Sequence, residues 1–141
     1  MKIENYKYNE SLGFLVHTLS TQVKQELDAK LRKKDITVYQ FGVLMQIYKG
    51  ETLTQKEIAK FINADEPSTA RLMNRLEEKS CIKRTVDEKD KRKKVISLTQ
   101  EGKALLNELL PYALEVNDNH TSKLSEEEEK TLYELLLKVI N

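Results

Sequence analysis

Thr54-Gln55-Lys56-Glu57-Ile58-Ala59-Lys60-Phe61-Ile62 runs into Asn63-Ala64-Asp65 and resumes as Glu66-Pro67-Ser68-Thr69-Ala70-Arg71-Leu72-Met73-Asn74-Arg75-Leu76-Glu77-Glu78-Lys79. The chain then alternates through Ile82-Lys83-Arg84-Thr85-Val86, breaks into Asp87-Glu88-Lys89-Asp90-Lys91-Arg92-Lys93-Lys94, and alternates again as Val95-Ile96-Ser97-Leu98-Thr99. The spacing predicts two short helices followed by a β-hairpin with a charged tip. That order outlines a winged helix-turn-helix and points to double-stranded DNA.

Thr54-Gln55-Lys56-Glu57 fits a capping box, in which the Thr hydroxyl and the Glu carboxylate each accept from the other's backbone N–H. Ile58, Ala59 and Ile62 turn inward, and the small Ala59 lets the next helix cross closely. Asn63-Ala64 makes the turn. Asp65 is a good N-cap, and Pro67 sits in the first turn, where no backbone donor is lost. In the second helix Leu72, Met73, Leu76 and either Thr69 or Ala70 face inward. Pro67, Ser68, Arg71, Asn74, Arg75 and Glu78 face outward. Ser68, Arg71 and Arg75 share one line at i, i+3 and i+7. Two guanidiniums and a hydroxyl near a helix N-terminus suit the edges of bases and phosphates. The competing reading is a solvated amphipathic face, because side-chain type alone does not tell base contacts from surface charge. The hairpin tips the balance. Its loop sets Lys89, Lys91, Arg92, Lys93 and Lys94 against Asp87, Glu88 and Asp90, and a narrow basic tip beside such a helix can straddle a phosphate ridge and push an Arg into the minor groove.

Outward from this stretch, the flanks read as helices. From about Asn9 to Lys34, Leu12, Leu15, Val16, Leu19, Val23, Leu27 and Leu31 form one stripe. Thr37-Val38-Tyr39-Gln40 is another capping box. It opens a helix to about Tyr48 that Gly50 should end through a positive φ. Thr52-Leu53 can add a very short strand. Thr99 caps a helix through about Asn117, striped by Leu105, Leu106, Leu109, Leu110 and Leu114, with a kink or break expected at Pro111. Ser125-Glu126-Glu127-Glu128 caps a last helix carrying Leu132, Leu135, Leu136, Val139 and Ile140, with Tyr133 and Leu137 off that stripe. These helices carry more apolar surface than a small winged helix must cover, which implies a homodimer.

Composition sets the bounds. At 141 residues the chain is one domain, or one domain with a helical extension, and is long enough to bury a core of its own. Its net charge of +1 hides a gradient: residues 54–94 hold 12 basic and 8 acidic side chains, and residues 95–141 hold 4 and 9. A polyanion is drawn to the middle and repelled by the end. No apolar run is long enough for a membrane span, the start Met1-Lys2-Ile3-Glu4-Asn5-Tyr6 lacks an apolar signal core, and one cysteine forbids an internal disulfide. A cytoplasmic protein is expected, without membrane contact. There is no Gly-rich phosphate loop, nucleophile elbow or His-Glu-x-x-His pattern, so no enzyme and no cofactor is expected.

The stretch from about Phe41 to Leu110 resembles the MarR (multiple antibiotic resistance regulator) family of bacterial transcription factors. The resemblance rests on Thr54 to Ala59, on Asp65 to Glu77, on the wing pattern Asp87-Glu88-Lys89-Asp90-Lys91-Arg92, and on the exit Leu98-Thr99-Gln100-Glu101-Gly102. It implies a dimeric winged-helix regulator of double-stranded DNA. Such a protein is usually a repressor on a pseudo-palindromic operator, often released by a small-molecule effector or by oxidation. By matching position, Pro67, Ser68, Thr69, Arg71 and Arg75 would face the major groove, and Arg92, held by Asp90, would enter the minor groove. Gln55, Asn74, Lys91 and Lys93 complete the candidate DNA-contacting set. The fold class is thus mainly α with a small β-hairpin wing. Residues 1–36 and 100–141 are the dimerisation helices and residues 37–99 the DNA-binding lobe, with the helix-turn-helix at about 54–79 and the wing at about 82–99.

This chain departs from the family at Ser80-Cys81, where Gly-Leu is usual. A Gly there supplies an easy left-handed cap, so Ser80 implies strain or a different turn. It also lacks the reactive Cys that oxidation-sensing members carry early in the first helix. Cys81 reads first as a small buried residue. A redox switch is the sharper alternative, with Lys79, Lys83 and Arg84 positioned to lower its pKa. His17, beside the first stripe, is the candidate for lining an effector cavity. His120, read as lying between the last two helices, forms no metal-ligand pattern with His17 and Cys81, so no metal is expected. A winged helix that binds protein is a further alternative, against which the five-cation loop argues.

Overall fold

A computed structural model describes Met1–Asn141. The chain divides into two units: a lobe of Asp28–Pro111, and a terminal unit of Met1–Leu27 with Tyr112–Asn141.

In the lobe, α2 (Val38–Gly50) starts at the Thr37 capping box: Gln40 N–H donates to Thr37 Oγ1 at 3.1 Å, and Thr37 N–H donates to Gln40 Oε1 at 3.0 Å. Gly50 remains helical and does not end α2 through a positive φ. Glu51 takes that conformation instead, at φ 64°. A short strand, β1 (Leu53–Thr54), leads into α3 (Gln55–Ile62) and then α4 (Glu66–Glu78). The hairpin is β2 (Ile82–Val86) and β3 (Lys94–Leu98). β1 sits one residue later than Thr52-Leu53 and pairs antiparallel with β3, Leu53 opposite Ile96, so the sheet has three strands in the order β1-β3-β2.

The β2–β3 register puts Ile82, Arg84 and Val86 opposite Leu98, Ile96 and Lys94. Because side chains alternate along a strand, Ile82, Ile96 and Leu98 share one face and enter the core. With them are buried Leu31, Ile36, Phe41, Val43, Leu44, Ile47, Ile58, Met73, Leu76, Leu106 and Leu109. Leu31 and Ile36 lie at the end of the first long helix, α1 (Leu12–Leu31), and just after it. Leu106 and Leu109 lie in α5 (Gln100–Thr121). Parts of both long helices therefore belong to the lobe.

α5 runs unbroken through Pro111 to Thr121, against the expected break and past the expected end, and it includes His120. Pro111 is exposed, so water can satisfy the carbonyl that loses its N–H partner.

In the terminal unit, α1 is shorter than the stripe suggests. Two 3₁₀ turns, Ile3–Asn5 and Tyr8–Glu10, precede it, and it ends at Leu31, before a further 3₁₀ turn. Ser11 accepts from Phe14 N–H at 3.3 Å, and the Tyr8 and Phe14 rings stack edge to face at 5.1 Å. α6 (Glu126–Ile140) opens at the Ser125–Glu128 capping box and buries none of its residues. Glu26 accepts from Asn119 Nδ2 at 2.7 Å, and its other oxygen lies 2.9 Å from His120 Nε2. No helix is long and apolar enough to cross a membrane.

Candidate nucleic-acid interface

Local chemistry sets the two helices of the motif. Thr54 N–H donates to Glu57 Oε2 at 2.7 Å, and Glu57 N–H to Thr54 Oγ1 at 3.2 Å, which fixes the start of α3 and places Gln55 in its first turn. Asn63 ends α3 in the left-handed region at φ 50°, a conformation Asn tolerates better than most residues. Asp65 caps α4 by accepting from Ser68 N–H at 2.7 Å. That backbone bond and the Ser68 side chain hold the Asp65 carboxyl below its ordinary value of 3.8. The charge also sits at the positive end of the α4 dipole.

Pro67, Arg71, Asn74 and Arg75 are exposed on α4, and Ser68 is half-buried. Arg71 Nη2 donates to Ser68 Oγ at 3.1 Å, so the line of cations and hydroxyl is partly organised. Thr69 corrects the sequence reading. Its relative exposure is 0%, and its hydroxyl donates to the Asp65 carbonyl at 2.8 Å. It packs inside α4 and leaves the outward set.

Two aspartates build the wing tip. Asp87 Oδ1 accepts from Lys89 N–H at 2.9 Å, and Asp90 Oδ1 accepts from Arg92 N–H at 3.1 Å. Backbone bonds from Asp87 N–H to the Lys93 carbonyl and from Lys93 N–H to the Asp90 carbonyl, each 2.9 Å, close the loop. These side chain-to-backbone bonds are the reason for aspartate at both positions. Arg92 Nε also donates to Asp90 Oδ1 at 3.2 Å, although Arg92 is 92% exposed. The tip thus aims one guanidinium outward, flanked by exposed Lys91 and Lys93.

The joint between α4 and the wing carries the departure at Ser80. Ser80 adopts φ 58°, the left-handed conformation that glycine would take without strain. Several bonds hold it there: Ser80 N–H to the Glu77 carbonyl at 2.9 Å, Cys81 N–H to the Leu76 carbonyl at 3.0 Å, and Thr99 Oγ1 to the Ser80 carbonyl. Thr99 N–H donates to the Cys81 carbonyl at 3.1 Å, and Thr99 Oγ1 accepts from Gly102 N–H at 3.0 Å. A Cβ on Gly102 would stand 2.1 Å from the Cys81 oxygen, so the exit from the wing admits only glycine without displacement. Upstream, Lys79 Nζ donates to both the carbonyl and the carboxylate of Asp35 and holds that carboxyl low.

Cys81 is buried, and burial pushes its thiol up, outweighing the opposing charge of Lys79. The expected lowering by Lys79, Lys83 and Arg84 therefore gives way to desolvation, which favours the neutral thiol. Arg84 is committed elsewhere: Nη2 donates to Asn74 Oδ1 at 2.8 Å, and Nε lies 2.9 Å from Glu77 Oε2. Sequence reasoning missed this role. Its signal was an Arg on the same face of the strand as Ile82, where it needs a polar partner. His17 is exposed on α1. A cavity of roughly 450 Å³ lies against α4, lined by Tyr39, Gln40, Asn63, Ser68, Arg71 and Arg75 among others.

The MarR family model matches residues 36–94. An uncharacterised HTH-type transcriptional regulator of Bacillus cereus is 38% identical over 121 residues, covering 85% of this chain and 80% of that one. The HTH-type transcriptional regulator SarZ of Staphylococcus aureus is 32% identical over 116 residues, covering 82% and 78%. Among solved structures, a cysteine-to-serine mutant of E. coli MarR in complex with operator DNA aligns with a TM-score of 0.80 at 29% identity, covering 96% of this chain and 99% of that one.

Proposed function

Because this chain belongs to the MarR family of winged helix-turn-helix transcriptional regulators, we propose that it is a homodimeric repressor that reads a pseudo-palindromic operator in double-stranded DNA. The observation that carries this reading is the pairing of two exposed cationic features on one lobe. Ser68, Arg71, Asn74 and Arg75 line the outer face of α4, and Arg92 projects from a wing tip shaped by Asp87 and Asp90. In the proposed complex α4 enters the major groove, where Arg71 and Arg75 meet base edges or phosphates. Arg92 enters the adjacent minor groove, and Gln55, Lys91 and Lys93 contact the backbone. Pro67 lies at the entry of α4 and shapes that approach.

The terminal helices supply the second half of the proposal. Leu12, Leu15, Val16 and Leu19 of α1 are exposed, as are Tyr133, Leu135, Leu137, Val139 and Ile140 of α6. We assign residues 1–36 and 100–141 to dimerisation and residues 37–99 to DNA reading. A two-fold pair presents two copies of α4 to half-sites about 10 bp apart centre to centre. Bound near a promoter, the pair excludes polymerase. For release, the cavity beside α4 favours a small anionic effector over a ligand at His17. An anion held by Arg71 and Arg75 there would occupy the cations that DNA needs.

Selection of duplexes from a random pool tests the reading, followed by titration against salt. We expect enrichment of an inverted repeat and an affinity that falls steeply as salt rises. Absence of duplex binding at low salt would sink it.

A further inference from the structure

One side chain joins the wing to α4, and its chemistry bears on base choice. Arg84 of β2 donates from Nη2 to Asn74 Oδ1 at 2.8 Å and brings Nε to 2.9 Å from Glu77 Oε2. Asn74 and Glu77 are three residues apart, so one guanidinium spans a single turn of α4. The contact to Glu77 is an ion pair off the line of a good hydrogen bond, whereas the contact to Asn74 is a well-formed one. A guanidinium has five N–H donors and no acceptor, so the amide atom that faces it must be the oxygen. The orientation of the Asn74 amide is therefore fixed by chemistry, and its NH₂ is the group left to face outward.

We propose that Arg84 is a positioning residue that determines specificity: it locks the Asn74 amide with Oδ1 turned to the guanidinium, so that α4 offers chiefly the NH₂ donor at that point of its outer face. The inference rests on the reading of α4 as the helix that enters the major groove. A free Asn reads adenine with both arms, accepting from N6 and donating to N7. Arg84 takes one of the two lone pairs of Oδ1 and fixes its direction, so the amide is no longer free to turn both arms along an adenine edge. The remaining NH₂ suits guanine, which offers O6 and N7 side by side as acceptors, over adenine, whose N7 lies beside the N6 donor that opposes it. The same guanidinium neutralises Glu77, whose carboxylate would otherwise stand against the negative duplex.

The test is duplex selection with the full chain as wild type, Asn74→Ala, Arg84→Met and the double variant. In the wild type, one position per half-site should prefer guanine over adenine. Asn74→Ala should flatten that preference by about five- to a hundredfold. Arg84→Met should admit adenine at that position and leave the others unchanged, and adding it to Asn74→Ala should move that position no further. Arg84→Met overturns the inference if it weakens all positions alike, or if it shifts a position that Asn74→Ala does not touch. Should Arg84→Met fail to fold, Asn74→Asp decides. Its carboxylate keeps the Arg84 contact but offers no donor, so guanine preference must vanish in a folded protein, and retained preference overturns the inference. A wild type that enriches no duplex defeats the DNA-reading assignment itself. A wild type that enriches a site on which Asn74→Ala changes nothing defeats only the role given to Asn74 and Arg84.

Discussion

The two units of this chain treat their leucines and isoleucines in opposite ways. The lobe turns Leu31, Ile36, Leu44, Ile47, Ile58, Leu76, Ile96 and Leu109 fully inward, and each keeps less than 2% of its surface exposed. The terminal unit buries only Val116 to that degree and leaves Leu135, Leu137, Val139 and Ile140 more than half exposed. Both units have well-capped helices, so helix formation does not separate them. What separates them is where the apolar face finds a partner. The lobe closes on itself; the terminal unit displays a surface that water does not favour. The proposed function gives recognition to the first and assembly to the second.

The largest expected effect breaks that comparison at the terminal unit. Leu135→Glu with Val139→Glu puts two charges on one exposed face of α6, four residues apart, without disturbing any buried side chain. Light scattering should show a monomer with unchanged helical content. Operator affinity should fall by about two to four orders of magnitude, because the second half-site no longer binds as an intramolecular event. A variant that remains dimeric would move the interface off this face of α6.

The next effect sharpens the lobe's share. Arg71→Ala should cost about 1–3 kcal/mol of binding and relax base choice at one position. Arg92→Ala should weaken binding over the A·T-rich flanks, where a narrow minor groove attracts an Arg, and should reduce the salt slope by about one. Neither change should alter the oligomeric state. Binding isotherms on matched and scrambled duplexes separate the two effects, and wild-type affinity in both variants would mean that the assigned face is wrong.

These two tests rest on features of unequal legibility. The lobe was legible because its determinants are local. A capping box spans four residues, and the tip pattern of Asp87, Asp90 and Arg92 spans six, so sequence spacing carries the geometry. Strain at Ser80 was legible for the same reason: a side chain stood where a left-handed turn was expected. What spacing could not carry was long-range. Arg84 reaches back ten residues to Asn74, and Lys79 reaches forty-four back to Asp35. On α4 the inward place was open between Thr69 and Ala70, and packing put Thr69 fully inside. Gly50 shows the same limit, because the positive φ fell one place later, on Glu51.

A third prediction concerns the close approach in the lobe. Gly102→Ala forces a methyl against the Cys81 carbonyl, a backbone atom that cannot swing away. The lobe should lose about 1–3 kcal/mol of stability, the usual cost of overpacking. Urea unfolding followed by circular dichroism measures it. In the same experiment Ala104→Gly, on an exposed site two residues along α5, provides the scale of an ordinary helix substitution, about 1 kcal/mol. If Gly102→Ala costs no more than that, the joint between α4, the wing and α5 is softer than its hydrogen bonds imply.

The smallest effect is in acid, and it again falls on the lobe. Asp65 is held below 3.8 by the Ser68 backbone and side chain, and Asp35 is held below 3.8 by Lys79. A carboxyl whose folded pKa lies under its unfolded one binds fewer protons when folded. Its contribution to stability is therefore fully present above the unfolded value and is lost as pH falls through the folded one. Asp65→Asn keeps an oxygen that can cap α4 but removes the titration, since Asn and Asp are comparable N-caps. The variant should be close to the wild type near neutral pH and should show a shallower loss of urea midpoint below pH 3.8. Asp35→Asn should flatten the same window, because Lys79 then holds a neutral amide. If both variants follow the wild-type acid limb, the Asp65 cap of α4 and the Asp35–Lys79 contact fix geometry without storing charge energy. The lobe would then owe its closure to packing alone.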